Sequence, residues 1–133
     1  MTTPPIPDLG ELSPFELGVI GERFAADHLR RDGIRILECN WREAAGEIDL
    51  IARHRDTIVF CEVKTRRSLK YGPPSAAIDA AKASQLVALA QLWLKDRATF
   101  DQPWRIDHLL LRAVGSHELQ LEHLRGPRQC RTN

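Results

Sequence analysis

The sequence predicts an α/β protein: a mixed β-sheet flanked by helices, in the order α-β-β-β-α-β-β. Three observations carry that expectation. A capped, amphipathic stretch comes first. Three short runs with two-residue alternation follow it. A long stretch rich in Ala, Leu, Lys and Gln then separates these from two more alternating runs.

The first helix starts at "SPFE", where Ser13 can cap, Pro14 suits the first helical position and Glu16 completes a capping box. Leu17, Ile20, Gly21, Phe24 and His28 recur at helical spacing, and Gly33 offers a left-handed stop, so the helix should run from Pro14 to near Asp32. "IRILECNW" (Ile34–Trp41) reads as the first strand, "GEIDLIAR" as the second and "TIVFCEVKT" as the third, the last two joined by "HRD". "YGPPS" (Tyr71–Ser75) is a loop. From Ala76 to Lys95 good helix formers dominate, with Ile78, Leu86, Leu89, Ala90, Trp93 and Leu94 available for an apolar face. "WRIDHLLLRAV" (Trp104–Val114) and "HELQLEHL" supply the last two strands. Trp41, Trp93 and Trp104 belong in the core more readily than on nucleic-acid bases.

The 133 residues suit one domain. Residues 13–124 should form it, with a flexible arm at 1–12, where three prolines fall in the first seven positions, and a flexible tail at 125–133. Nineteen Lys and Arg nearly balance eighteen Asp and Glu, so no global field draws the chain to nucleic acid or membrane, and any basic footprint must be local. No apolar run approaches the ~20 residues of a membrane span, and the N-terminus lacks the basic and apolar regions of a secretory signal. Cys39, Cys61 and Cys130 are odd in number and widely spaced, which suggests neither a disulfide framework nor a zinc site and fits a cytoplasmic location. The five histidines are scattered with no zinc-like cluster in the sequence, and His28, on the apolar side of its helix, reads as structural.

The chemistry concentrates in the hairpin of strands two and three. Ile58, Phe60, Glu62 and Lys64 should share one face of the third strand, and Glu47, Asp49 and Ile51 one face of the second. A two-residue turn at Arg55-Asp56 would set Asp49 opposite Glu62 and Glu47 opposite Lys64, with β-carbons ~4.5–5.5 Å apart. Arg-Asp is not the Asn-Gly or Asp-Gly that such turns favour, and a three-residue loop would separate Asp49 and Glu62 onto opposite faces unless a bulge intervened. Two carboxylates held so close repel, and a divalent cation removes that cost. Mg²⁺ or Mn²⁺ is the expected cofactor, with Lys64 beside it to orient water or offset charge on a phosphate. Taken one at a time, these side chains would make a solvated face or a surface ion pair worth under ~1 kcal/mol. Their coincidence inside apolar strands favours the site.

Asp49 followed by Glu62-Val63-Lys64 resembles the PD-(D/E)xK nuclease motif. "GERFAADHL", "GEIDLIA", "VFCEVKTRRS", "YGPP" and the lysine of "DAAKASQL" together resemble the YraN-type family of small bacterial proteins classed as endonucleases, over about Leu17 to Leu124. The resemblance implies a restriction-endonuclease-like three-layer core, related to archaeal Holliday-junction resolvases. It implies catalysis by Asp49, Glu62 and Lys64, and a metal site of Asp49 and Glu62 joined by Glu22 from the first helix and by the Val63 carbonyl. Here the turn "RHRDT" lacks the glycine often found in the family.

Around that site, Arg66, Arg67 and Lys70, and Lys82 of the family pattern, are candidate phosphate contacts, which would position a duplex without reading its sequence. Arg42, Arg53 and Arg55 would extend the stripe. Glu47 and Gln85 are weaker candidates. The implied activity is hydrolysis of phosphodiester bonds in branched, flapped or junction DNA, with RNA left open as a substrate, and a homodimer would suit cutting both strands. A binding module that does not cut, and a scaffold with a vestigial acidic pair, are the rival readings.

Overall fold

A computed structural model describes residues 6–67, 80–97 and 101–130. Its elements follow the expected order: α1 (Pro14–Arg31), β1 (Arg35–Glu43), β2 (Gly46–His54), β3 (Thr57–Arg66), α2 (Ala80–Asp96), β4 (Trp104–Val114) and β5 (Glu118–Leu124), preceded by a single 3₁₀ turn at Leu9–Glu11. The α1 capping box forms as read: Ser13 Oγ accepts from the Glu16 N–H at 3.1 Å, and Glu16 accepts from the Ser13 N–H at 2.9 Å. The "YGPPS" loop and Ile78 lie outside the described residues.

The five strands lie in one sheet in sequence order. β3 and β4 pair in parallel and the other neighbours antiparallel, because α2 intervenes between β3 and β4 and returns the chain to the same end. The sheet is mixed, with a helix on each face. On one face Leu17, Ala25 and Leu29 of α1 pack over Leu50, Cys61 and Leu109. On the other, Leu86, Leu89 and Trp93 of α2 pack over Ile51, Ile58 and Phe60. β3 is the central strand, buried from Thr57 to Glu62, which is why its sequence is a nearly continuous apolar run. Phe60 meets Trp93 and Trp104 edge to face at 5.6 and 6.1 Å, and Trp41 packs on the same cluster, so the tryptophans serve the core.

Described parts of the expected arm and tail make contacts with the fold. Within the stretch expected as an arm, Leu9 is fully buried and its N–H donates to the Ser116 carbonyl at 2.7 Å. Within the expected tail, Gln129 and Trp104 exchange two backbone hydrogen bonds, and Arg128 pairs with Asp56 at 2.6 Å. Segments this short carry no periodicity, and a single buried leucine or a backbone bridge is enough to hold them.

Candidate metal centre

The hairpin turn has two residues. His54 pairs with Thr57, and Arg55 takes a left-handed φ of 58°. The register counted from the sequence therefore holds, from His54–Thr57 out to Leu50–Cys61. There the β2–β3 ladder ends. β2 continues toward its start beside β1, through Ile48–Trp41 and Glu47–Arg42. β3 continues beside β4, through Glu62–His108 to Arg66–Arg112. The two strands diverge, and Asp49 and Glu62 flank the point of divergence. Asp49 Oδ2 accepts the Val63 N–H at 2.7 Å, so its side chain takes a donor that a ladder carbonyl would otherwise have used.

Strict alternation fails at this point, which corrects part of the expected face. Ile48 and Ile51 pack in the same cluster beneath α2, so alternation slips between them. Glu47 does not face Lys64. It accepts from Asn40 Nδ2 at 2.9 Å and pairs with Arg42 at 3.4 Å. Once β2 leaves β3, β1 governs its side chains, and β1 itself carries Asn40 at φ 53° opposite the slip.

Glu62 is buried, with 6% of its side chain exposed. Its Oε1 makes no hydrogen bond. Lys82 Nζ from the first turn of α2 stands 3.5 Å away and Lys64 Nζ 3.8 Å, while His108 Nδ1 lies 3.8 Å from Oε2. Glu22 reaches the site because α1 lies close against β3. A β-carbon on Gly21 would stand 1.8 Å from Thr65 Oγ1, so only glycine permits that approach. Asn40 Nδ2 also donates to Glu22 Oε2 at 3.2 Å and so holds Glu22 and Glu47 together.

The charges crowd Asp49. Burial is the main cause that raises its pKa, to about 6. The Val63 N–H opposes the rise, and the carboxylates of Glu22, Glu47 and Glu62 add to it. Four acidic side chains from α1, β2 and β3 therefore converge electrostatically.

The expected phosphate contacts divide. Lys82 lies beside Glu62, and Arg66 is half-buried at the end of β3. Arg67 is directed elsewhere: its guanidinium donates to the Leu9 and Leu12 carbonyls and anchors the N-terminal stretch. Gln85 donates to the Ala45 carbonyl and ties α2 to the β1–β2 turn. Arg53 and Arg55 sit toward the far end of β2, Arg55 about 20 Å from Asp49 at ~3.3 Å per residue, so they do not extend the stripe. Lys70 lies outside the described residues.

Sequence reasoning missed two residues of the site. His108 arrives through a parallel register set by α2, and no local spacing signals it. Asn40 could have been suspected as a residue that tolerates positive φ inside an otherwise β-prone run. The histidines scattered in sequence are not all apart in space: His28 and His123 meet at 3.1 Å.

An oxygen-only donor set, an unsatisfied buried carboxylate oxygen on Glu62 and the raised pKa of Asp49 all fit a hard divalent cation such as Mg²⁺ or Mn²⁺. Among the described residues the oxygens of these four carboxylates are not gathered in threes within 4.8 Å of one another.

Known proteins resemble the chain over this same region. The family model described as "Uncharacterised protein family UPF0102" matches residues 21–111, which span Glu22, Asp49, Glu62, Lys64, Lys82 and His108. A UPF0102 protein of Renibacterium salmoninarum is 49% identical over 84% of this chain and 94% of its own length. One from Paenarthrobacter aurescens is 47% identical over 83% and 91%, and one from Syntrophotalea carbinolica 42% over 83% and 89%.

Proposed function

The chain belongs to the uncharacterised protein family UPF0102, and from that premise we propose that it is a Mg²⁺- or Mn²⁺-dependent endonuclease acting on branched, flapped or junction DNA, built on a restriction-endonuclease-like core. The observation that carries this reading is the divergence of β2 from β3, with the acidic side chains of Asp49 and Glu62 on either side of it, Asp49 titrating near 6 and Glu62 buried with an oxygen lacking a hydrogen bond. Such a pair is costly without a cation and favourable with one.

In this reading Asp49 and Glu62 hold the ion, with Glu22 completing the set; bound there, it supplies Lewis acidity toward a phosphodiester and offsets its charge. The Val63 N–H fixes the Asp49 carboxylate, leaving one of its oxygens directed elsewhere. Lys64, half-exposed, holds the attacking water or neutralises the phosphoryl oxygens. Lys82 faces Glu62 and reaches toward the same phosphate. The water oxygen bonds to phosphorus and gives up a proton to solvent, the bond to the bridging oxygen breaks, and that departing oxygen takes up a proton from solvent. His108 is a positioning residue that limits how Glu62 can turn.

One observation favours a second reading. Lys64 and Lys82 already flank Glu62, so the acidic site could be neutralised from within. The chain would then bind nucleic acid without cutting it. Thermal unfolding separates the two. The nuclease reading expects the melting temperature to climb with Mn²⁺ concentration by the usual binding linkage, and Asp49→Ala to abolish the climb. A metal response equal in wild type and variant would remove this site from consideration.

A further inference from the structure

A second cluster lies on other elements, and the nuclease reading does not use it. His28 is on α1, six residues and about 9 Å of helix rise beyond Glu22. Asp32 caps the same helix, and His123 is on β5. His28 Nε2 lies 3.1 Å from His123 Nδ1 and 3.6 Å from Asp32 Oδ2, and the three ligand atoms all fall within 4.8 Å of one another. Ligands of a tetrahedral zinc, each ~2.0–2.1 Å from the ion, stand about 3.3 Å from one another, close to the two shorter separations here.

The second observation lies behind His123. Its Nε2 meets Asp107 Oδ2 at 2.7 Å, and Asp107 has no solvent exposure. Asp107 is itself fixed by Arg105 Nε at 3.0 Å and the Gly126 N–H at 3.2 Å. The Asp107 carboxylate therefore keeps the proton of His123 on Nε2 and turns the Nδ1 lone pair toward His28 and Asp32. A buried carboxylate behind an imidazole is the usual support of a metal-binding histidine. Arg125 approaches Asp32 at 3.5 Å and would compete for one of its oxygens.

We propose that His28, Asp32 and His123 form a zinc site that clasps the end of α1 to β5, with a fourth position left to water. His28 and Asp32 are partly exposed, with 30% and 41% of their side chains open, so an ion can enter. Zn²⁺ would take the place of the His28 Nε2–H between the two rings, with the His28 proton carried on Nδ1 instead. Histidine and carboxylate donors suit it better than the magnesium expected at the acidic site.

The test is Zn²⁺ titration of chelator-stripped protein against a chromophoric competitor. A Cys39→Ser, Cys130→Ser background removes the two exposed thiols. With excess Mg²⁺ present to occupy the acidic site, one equivalent should bind, and Zn²⁺ should raise the melting temperature. His28→Gln and the exposed change Asp32→Asn should each weaken binding at least tenfold. Asp49→Ala should leave it unchanged. Absence of zinc binding, binding indifferent to both His28→Gln and Asp32→Asn, or binding lost with Asp49→Ala would overturn the site. Circular dichroism of each variant establishes that it is folded, and Asp32→Asn, on an exposed side chain, keeps the test decisive if His28→Gln is not.

Discussion

Asp49 connects the physics of single residues to function. Its pKa in the folded protein, about 6, stands above the ordinary 3.8, so the protonated form is favoured by folding. Stability from this group is full below about pH 4 and is lost as pH rises through 6, by up to about 3 kcal/mol. Asp49→Asn should therefore stabilise the metal-free protein above pH 6 and do little near pH 4. Urea unfolding across that range checks it, and a pH-independent difference would mean the carboxylate is not strained. Arg55 carries a smaller cost, because its left-handed φ is disfavoured for a side-chain-bearing residue by about 1 kcal/mol. Arg55→Gly should raise stability by up to that amount in the same unfolding measurement. That Asp49, Glu62 and Lys64 come close together was legible because charged residues interrupt an apolar strand pattern. His108 was not, since its position beside Glu62 depends on a parallel pairing across the α2 connection.

At the scale of elements, the contact between α1 and β3 decides where Glu22 stands. Gly21→Ala gains about 1 kcal/mol of helix propensity but forces a β-carbon onto Thr65. A net loss of about 1–3 kcal/mol should result, and Thr65→Ala should recover part of it in a double-mutant cycle. Additive effects would mean that α1 does not rest on Thr65. Helices and strands were readable because capping residues and two-residue alternation are local signals; α1 ends within one residue of its expected limit, and β4 matches it. The divergence of β2 from β3 was not readable. Counting outward from a turn assumes that strands stay paired, whereas here β1 and β4 draw them apart and the Asp49 side chain takes the Val63 N–H. For that reason Glu47 lies beside Asn40 and Arg42 and not opposite Lys64. Arg67 looked like one more cation in a basic run, but its role is fixed by Leu9 and Leu12, more than fifty residues earlier.

For the whole molecule, a net charge of +1 means that the proposed nucleic-acid binding must rest on a local patch. Lys82 stands beside the acidic site and Arg66 lies four residues beyond Glu62 at the end of β3, while Arg67 is engaged inside the fold. Arg66→Glu should weaken DNA binding across sequences and lower the slope of log affinity against log salt by about 1, and an unchanged slope would remove Arg66 from the interface. Phosphodiester cleavage is the central proposal. Its most direct test is a cleavage assay on labelled branched, flapped, nicked and linear DNA with Mg²⁺ and then Mn²⁺, using wild type, Asp49→Ala and Lys64→Ala at matched folding. Metal-dependent cutting of a branched or flapped substrate by wild type is expected, with a loss of at least about a hundredfold in both variants. Binding without cutting by all three proteins, or cutting that the variants retain, would contradict it.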